Sequence, residues 1–322
     1  MSHLIRHALV AAVACAVGLT ASFGPAGAAE KYPSKAVTVV IPFGGSGASN
    51  VIYRALFEYT KKYLGQPLVV VNKPGSGGAV GWMQVQSMKP DGYNLAYGSN
   101  SLFLHTHRTG GKLDYKNFDP IVRLNESACA ISVNVASGWN SLKDFIQHVK
   151  ANPGKVRMGN AGAGALFDLC TYQFEKLTGT KIVHVPYQGG PLAATALLGG
   201  HIESVMVTTD DLSNVLSTGK IKVLAMAGEK RDEYFPDVPT MREAGVDMVM
   251  VLWRGIIAPK GMDKARVAIL EKAFEQSTKD RGYIEFMKKN RFTNDFMGTA
   301  AFTKAYFEEG ELLIGLAKMA IK

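Results

Sequence analysis

The chain alternates short apolar runs with stretches of helical period, and glycine-rich turns separate them. Val37–Ile41 is a continuous β-branched run, the pattern of a strand buried on both faces. Phe43-Gly44-Gly45-Ser46-Gly47-Ala48-Ser49 follows, and Ile52, Ala55, Leu56, Tyr59 and Tyr63 then recur at helical spacing. Leu68–Val71 predicts a second strand, Asn72–Gly78 a small-residue loop, and 79–89 a helix stopped by Pro90-Asp91-Gly92. Tyr93–Tyr97 is a third strand, ending in Gly98-Ser99-Asn100-Ser101. A βαβαβ opening of this kind predicts the α/β class with a largely parallel sheet.

The middle of the chain repeats the plan. Cys129–Val135 predicts a strand, and Leu142, Phe145, Ile146 and Val149 line one helix face. Val156–Met158 is a short strand, and Gly159-Asn160-Ala161-Gly162-Ala163-Gly164 then opens a helix over 165–177. Ile182–Val185, Ser204–Thr208 and Lys222–Met226 are further strands, with helices at 192–198 and up to about Ser217. From about 262 the pattern is amphipathic helix. Two similar α/β units without a linker suggest two lobes sharing a cleft. Their small-residue loops fall at the C-terminal ends of strands, the edge where open α/β sheets bind ligands.

The first 28 residues have a different pattern. Arg6 supplies a positive start, Ala8–Phe23 an apolar run, and Ala26-Gly27-Ala28 a small-x-small cleavage site, the anatomy of a secretory leader. Composition agrees with an exported globular chain: of 322 residues, 47% are hydrophobic and 20% charged. Formal charge is +9, and removing the leader with its one arginine leaves +8. Basic and acidic residues are interleaved, so no nucleic-acid stripe is predicted. Cys15 lies in the leader; Cys129 and Cys170 remain, either bonded to each other or buried as separate thiols.

Loops rich in glycine before helices expose backbone N–H groups that attract anions. Cofactor motifs fail in detail. Neither Gly45-Ser46-Gly47 nor Gly162-Ala163-Gly164 completes G-x-G-x-x-G, and no phosphate-loop lysine motif is present. Gly44-Gly45-Ser46-Gly47-Ala48 approaches a hydrolase nucleophile elbow but lacks the last glycine and follows the first strand, so Ser46 as a nucleophile is a lesser alternative. His184 falls inside a strand, and His105-x-His107 suggests solvated loop histidines rather than a metal site. No cofactor and no metal are expected.

Several segments, in order, carry a resemblance. They are Tyr32-Pro33-Ser34-Lys35, Ile41-Pro42-Phe43, Asn72-Lys73-Pro74-Gly75-Ser76-Gly77-Gly78, Pro90-Asp91-Gly92-Tyr93 and Gly159-Asn160-Ala161-Gly162. Val185-Pro186-Tyr187-Gln188-Gly189-Gly190, Leu198-Gly199-Gly200-His201, Pro236-Asp237-Val238-Pro239-Thr240 and Trp253-Arg254-Gly255 complete the set. From about Lys31 onward the chain resembles the substrate-binding proteins of tripartite tricarboxylate transporters, the Bug receptors. The resemblance implies a type II-like periplasmic binding fold, with lobe one over 30–126 plus 251–322 and lobe two over 127–250. The crossings would lie near Leu124 and Leu252. It implies a monomeric, non-enzymatic receptor that captures a di- or tricarboxylate, or an aromatic dicarboxylate, for a two-component membrane permease. A receptor serving a periplasmic sensor is the alternative.

Carried over, the resemblance puts Phe43, Gly45, Ser46, Gly47, Ala48, Ser49 and Asn50, with Ser99, Asn100 and Ser101, on the ligand from the first lobe. From the second come Asn160, Ala161, Gly162, Ala163, Gly164 and Ala165, with Tyr187 as cover and Thr208 or Thr209 at the distal end. Many members carry Asp at Asn50, Ser at Ala165 and an acid near Val207, so the resemblance implies here either less repulsion of a multiply charged ligand or loss of the means of binding an amino group. Arg254 is open to two roles, pairing with a second ligand carboxylate or with a neighbouring Asp or Glu.

Overall fold

In the computed structural model, residues 31–320 are described; the expected leader and Cys15 lie outside them. The apolar run Val37–Ile41 forms β1, followed by α1 (Ala48–Leu64), β2 (Leu68–Asn72), α2 (Ala79–Gln86) and β3 (Asn94–Gly98). β1 pairs in parallel with both β2 and β3. Helix α1 buries Ile52, Tyr53, Leu56 and Phe57 and ends at Gly65, whose positive φ of 78° lets its N–H reach the Lys61 carbonyl.

The chain continues as α3 (Ser101–Arg108), β4 (Phe118–Asn134), α4 (Leu142–Ala151), β5 (Arg157–Asn160) and α5 (Leu166–Thr178). Next come β6 (Val183–Pro186), α6 (Gly190–Leu198), β7 (Ser204–Thr208), the single turn α7 (Ser213–Leu216) and β8 (Ile221–Met226). It ends with β9 (Val251–Pro259), α8 (Lys264–Thr278), α9 (Arg281–Lys289) and α10 (Thr299–Ala320). No helix among the described residues is long and apolar enough to cross a membrane.

The strands form one hydrogen-bonded path, β2-β1-β3-β9-β4-β7-β5-β6, with β8 also on β4. The 17-residue β4 joins its two halves. Phe118 to Ala128 pairs antiparallel with β9, and from Cys129 onward the strand pairs with β7 and β8. Each half is covered by its own helices, which gives the two-lobed α/β fold expected from the sequence. The sheet is mixed, because the connecting strands β4 and β9 run antiparallel to their neighbours.

Several local expectations change. The segment read as a loop with solvated histidines is helix α3, in which Leu102, Phe103, Leu104 and His105 are buried. His105 Nε2 meets the Gly77 carbonyl at 2.9 Å, and burial pushes its pKa down to about 4. The first part of β4 and all of β9 also escape the sequence pattern, because Pro120, Arg123, Asn125 and Arg254 interrupt their apolar runs. The thiols of Cys129 and Cys170 are buried with their sulfurs 2.7 Å apart. Burial pushes the Cys170 thiol well above the ordinary range, which disfavours the nucleophilic thiolate.

His184 on β6 locks the strand to α5. Its ring lies 2.7 Å from Asp168 and 3.1 Å from Glu175, against the Tyr172 ring at 4.3 Å. Burial alone would lower its pKa, but the two carboxylates outweigh burial and raise it from 6.5 to about 9. A folded pKa above the unfolded value stabilises fully below about pH 6.5, and the effect is lost as pH rises through about 9. His184→Gln should therefore cost about 1–2 kcal/mol at pH 6, allowing for solvent at the ring edge. Urea unfolding at about pH 6 and about pH 9.5 checks this: the parent should lose stability between them and the variant should not.

Candidate ligand-binding site

Two helices begin beside one another without side-chain caps. Gly47 is the N-cap of α1, with φ −73° and ψ 157°, and Ala165 that of α5, with φ −81° and ψ 178°. Neither can supply a side-chain oxygen to the first-turn N–H groups. The protein serves some of those donors in other ways. Ala48 N–H donates to Asp211 Oδ1 (3.3 Å), and Leu166 N–H donates across the cleft to Ser101 Oγ (3.2 Å). Asn50 N–H reaches the Gly47 carbonyl, and Asp168 N–H that of Ala165. The N–H groups of Ser49 and Phe167 have no acceptor among the described residues.

Ser49 and Phe167 face one cavity of about 40 Å³, room for a few water-sized groups. Phe43, Tyr97, Phe167 and Leu252 supply its apolar wall. Its polar wall holds Ser49, Asn50 and Ser101, and among its lining residues only Asp211 and Arg254 are charged. The Asn50 amide is committed to the loop itself, donating to the Gly44 carbonyl (2.9 Å) and accepting from Asn72 (3.0 Å). An Asp at that position would lose the first of these bonds.

Arg254 is fully buried on β9. Its guanidinium donates to Asp210 Oδ2 (2.7 Å), Ser127 Oγ (3.3 Å), Thr208 Oγ1 (3.4 Å) and, through Nε, Ser49 Oγ (3.3 Å). Ser127 also donates to Asp210. Of the two roles open to Arg254, the structure supports the pairing with a neighbouring acid. Burial opposes its charge, but the Asp210 carboxylate and its neighbours hold the guanidinium protonated.

The expectation of a site short of acids is corrected. No acid stands at Val207, but Asp210 and Asp211 follow β7 by a few residues and enter the site from there. Asp211 is 9% exposed and lines the cavity. Burial raises its pKa; Arg254 and the Ala48 N–H oppose the rise, while Asp210 adds to it. A Cβ on Gly190 would collide with the Asp211 carboxylate, so only glycine fits at the start of α6.

Of the residues predicted for the site, Phe43, Gly47, Ser49, Asn50, Ser101, Ala161, Ala165 and Arg254 line this cavity. Ala48 reaches it through its N–H on Asp211. Gly45 and Ser46 are exposed beside it. Ser99 and Asn100 are buried behind it, where Asn100 donates to the Val251 carbonyl and to Glu309. Asn160 lies beneath its own loop, accepting from Gly162 N–H and donating to Asp168. Gly162, Ala163 and Tyr187 line an adjoining pocket with Gly75–Gly78. Gly164 is packed under Arg108, Thr208 serves Arg254, and Thr209 opens on a groove beside Lys289 and Arg291.

Sequence reasoning missed Tyr97, Phe167, Leu252 and above all Asp211. One signal was available for Asp211. It follows the C-terminal end of a strand at the same edge as the glycine loops.

Removing the guanidinium while leaving Asp210 buried should be severe. Arg254→Met should cost about 3–5 kcal/mol in urea unfolding, and Arg254→Met combined with Asp210→Leu should recover most of it. A single variant as stable as the parent would show that the pair is solvated.

The family model described as "Tripartite tricarboxylate transporter family receptor" matches residues 52–309. A UPF0065 protein of Cupriavidus necator is 34% identical over 289 residues, 89% of this chain and 88% of the relative. A solved structure described as a periplasmic transporter is 31% identical with TM-score 0.85, covering 89% of this chain and 98% of that one. The periplasmic binding protein BugD is 28% identical with TM-score 0.82, covering 90% and 98%. The matched family is one of receptors, not enzymes. The chain belongs to the tripartite tricarboxylate transporter receptor family of periplasmic solute-binding proteins.

Proposed function

We propose that the protein captures a small organic carboxylate in this cleft and delivers it to a two-component membrane permease. One observation carries the reading: the uncapped N-termini of α1 and α5 converge from the two sheet halves on one buried cavity. A carboxylate seated there would accept from the Ser49 and Phe167 N–H groups. Both helix dipoles favour a negative charge at that point, each by about 0.3–1 kcal/mol when exposed and more when buried. Phe43, Tyr97, Phe167 and Leu252 would cover its carbon body.

Only a closed arrangement presents both helix ends to one anion, so binding would shift the population towards closure. Lobe one, 30–126 plus 251–322, would move against lobe two, 127–250, about β4 and β9.

Ala165→Asp tests the placement. Asp is a preferred N-cap, so the variant should keep or gain stability, by about 0.5–2 kcal/mol. It also puts a carboxylate on the cavity wall. Thermal-shift screening of the parent protein against organic acids should give hits worth about 2.7 kcal/mol at 100 times the dissociation constant. Calorimetric titration of the variant with the best of them should show an affinity loss of about 100-fold or more. A parent that binds no carboxylate, or a folded variant that binds as tightly, would reject the reading.

A further inference from the structure

The charges on the cavity wall do not suit a ligand with several carboxylates. Arg254 is the only cation among the lining residues; its charge is paired with Asp210, and Ser127, Thr208 and Ser49 accept three more of its five N–H groups. It therefore brings no uncompensated positive charge to a second ligand carboxylate. Asp211 stays over as an acid facing the cavity. The Ala48 N–H and the Thr208 side chain bond to it, and the charges of Arg254 and Asp210 lie near it. A carboxylate has about four acceptor sites, so Asp211 retains capacity to accept from a ligand.

Asp211 is also firmly held. Gly190 leaves room for its carboxylate where any side chain would intrude, and the Ala48 N–H fixes one oxygen. A buried acid held in a ligand cavity with spare acceptor capacity is best satisfied by a donor on the ligand. The opposite case, a ligand carboxylate against it, sets two like charges together away from water.

We infer that Asp211 makes the receptor select a carboxylate whose remaining polar group is an N–H or O–H donor, and makes it discriminate against dicarboxylates and tricarboxylates of the same shape. The inference rests on the receptor reading above and narrows its ligand class. The donor group would meet Asp211, while the single carboxylate takes the N–H groups of Ser49 and Phe167. The site then closes with its charges balanced in pairs: Arg254 with Asp210, the ligand anion with two helix ends, and the ligand donor with Asp211.

Matched pairs of probes test it, because a half-amide keeps the size and shape of its diacid and replaces one carboxylate with a donor. Succinate and succinamate, and glutarate and glutaramate, are titrated calorimetrically into the receptor after unfolding and refolding to strip any copurified ligand. The same titrations are run on Asp211→Asn, which keeps the volume and the acceptor for Ala48 N–H. In the parent the half-amide should bind more tightly than its diacid by about tenfold or more, and in D211N the gap should shrink to about threefold or reverse. A parent that binds the diacid as well or better overturns the inference. So does a gap unchanged in D211N, which would place discrimination elsewhere. In both cases a carboxylate still binds and the receptor reading stands. If no member of either pair and no other organic acid binds, the receptor reading fails and this inference fails with it.

Discussion

Burying a guanidinium constrains everything around it. Taking such a charge out of water costs several kcal/mol even after relaxation, and only a full set of acceptors offsets it. For Arg254 those acceptors come from separate parts of the chain: Ser49 from α1, Ser127 from β4, Thr208 from β7 and Asp210 from the turn after it. Satisfying one side chain therefore fixes four segments. It does so beside the place where β4 changes partners, since Asn125 is opposite Arg254 and the next partners along β4 lead to the second sheet half. Strand alternation assigns the rest. Trp253, one residue earlier, points the other way and donates to Glu309 of α10, among Phe103, Phe302 and Tyr306. One strand thus presents an aromatic core on one face and the charged floor of the cleft on the other.

Contacts across the cleft do not all need a ligand. Ala48 to Asp211, Leu166 to Ser101 and Arg254 to Asp210 join the two sheet halves through the protein's own groups. The first N–H of α1 already has a carboxylate, supplied by the opposite side. A ligand shifts an opening equilibrium only by its differential affinity for the two states. Here the protein makes part of that difference itself, and on the proposed function the ligand's share would be concentrated in the N–H groups left over.

Much of the fold was legible. Wherever a strand is a short run rich in β-branched residues, as at Val37–Ile41 and Ser204–Thr208, the pattern located it within a residue or two. The strands that escaped, the first part of β4 and β9, are those that build the junction, and Arg123, Asn125 and Arg254 lie inside them. Helix α3 escaped for another reason: it is only eight residues long, and its buried run Leu102-Phe103-Leu104 shows no helical period by itself. The site was legible where loops follow strands, from Phe43 to Asn50 and at Ala161 and Ala165. It was illegible where a residue acts through the opposite lobe. Nothing local in Thr208-Thr209-Asp210-Asp211 says that one acid will neutralise an arginine on β9 and the next will meet a helix 163 residues away in sequence.

The glycines that first suggested anion cradles have a second physical reason. A Cβ on Gly162 would lie 3.1 Å from the Gly77 Cα, and one on Gly77 would lie 2.9 Å from the Ala163 carbonyl oxygen. The loops after β2 and β5 therefore meet backbone to backbone. With φ of 64° at Gly77 and 144° at Gly162, both positions are also ones that side chains resist. A side chain at either would act as a wedge and hold the lobes apart before the ends of α1 and α5 came within reach of a shared anion. On the proposed function, glycine here would set how far the cleft can close. The depth of closure in turn decides whether N–H groups from two lobes converge on one small carboxylate or remain two separate helix ends facing water.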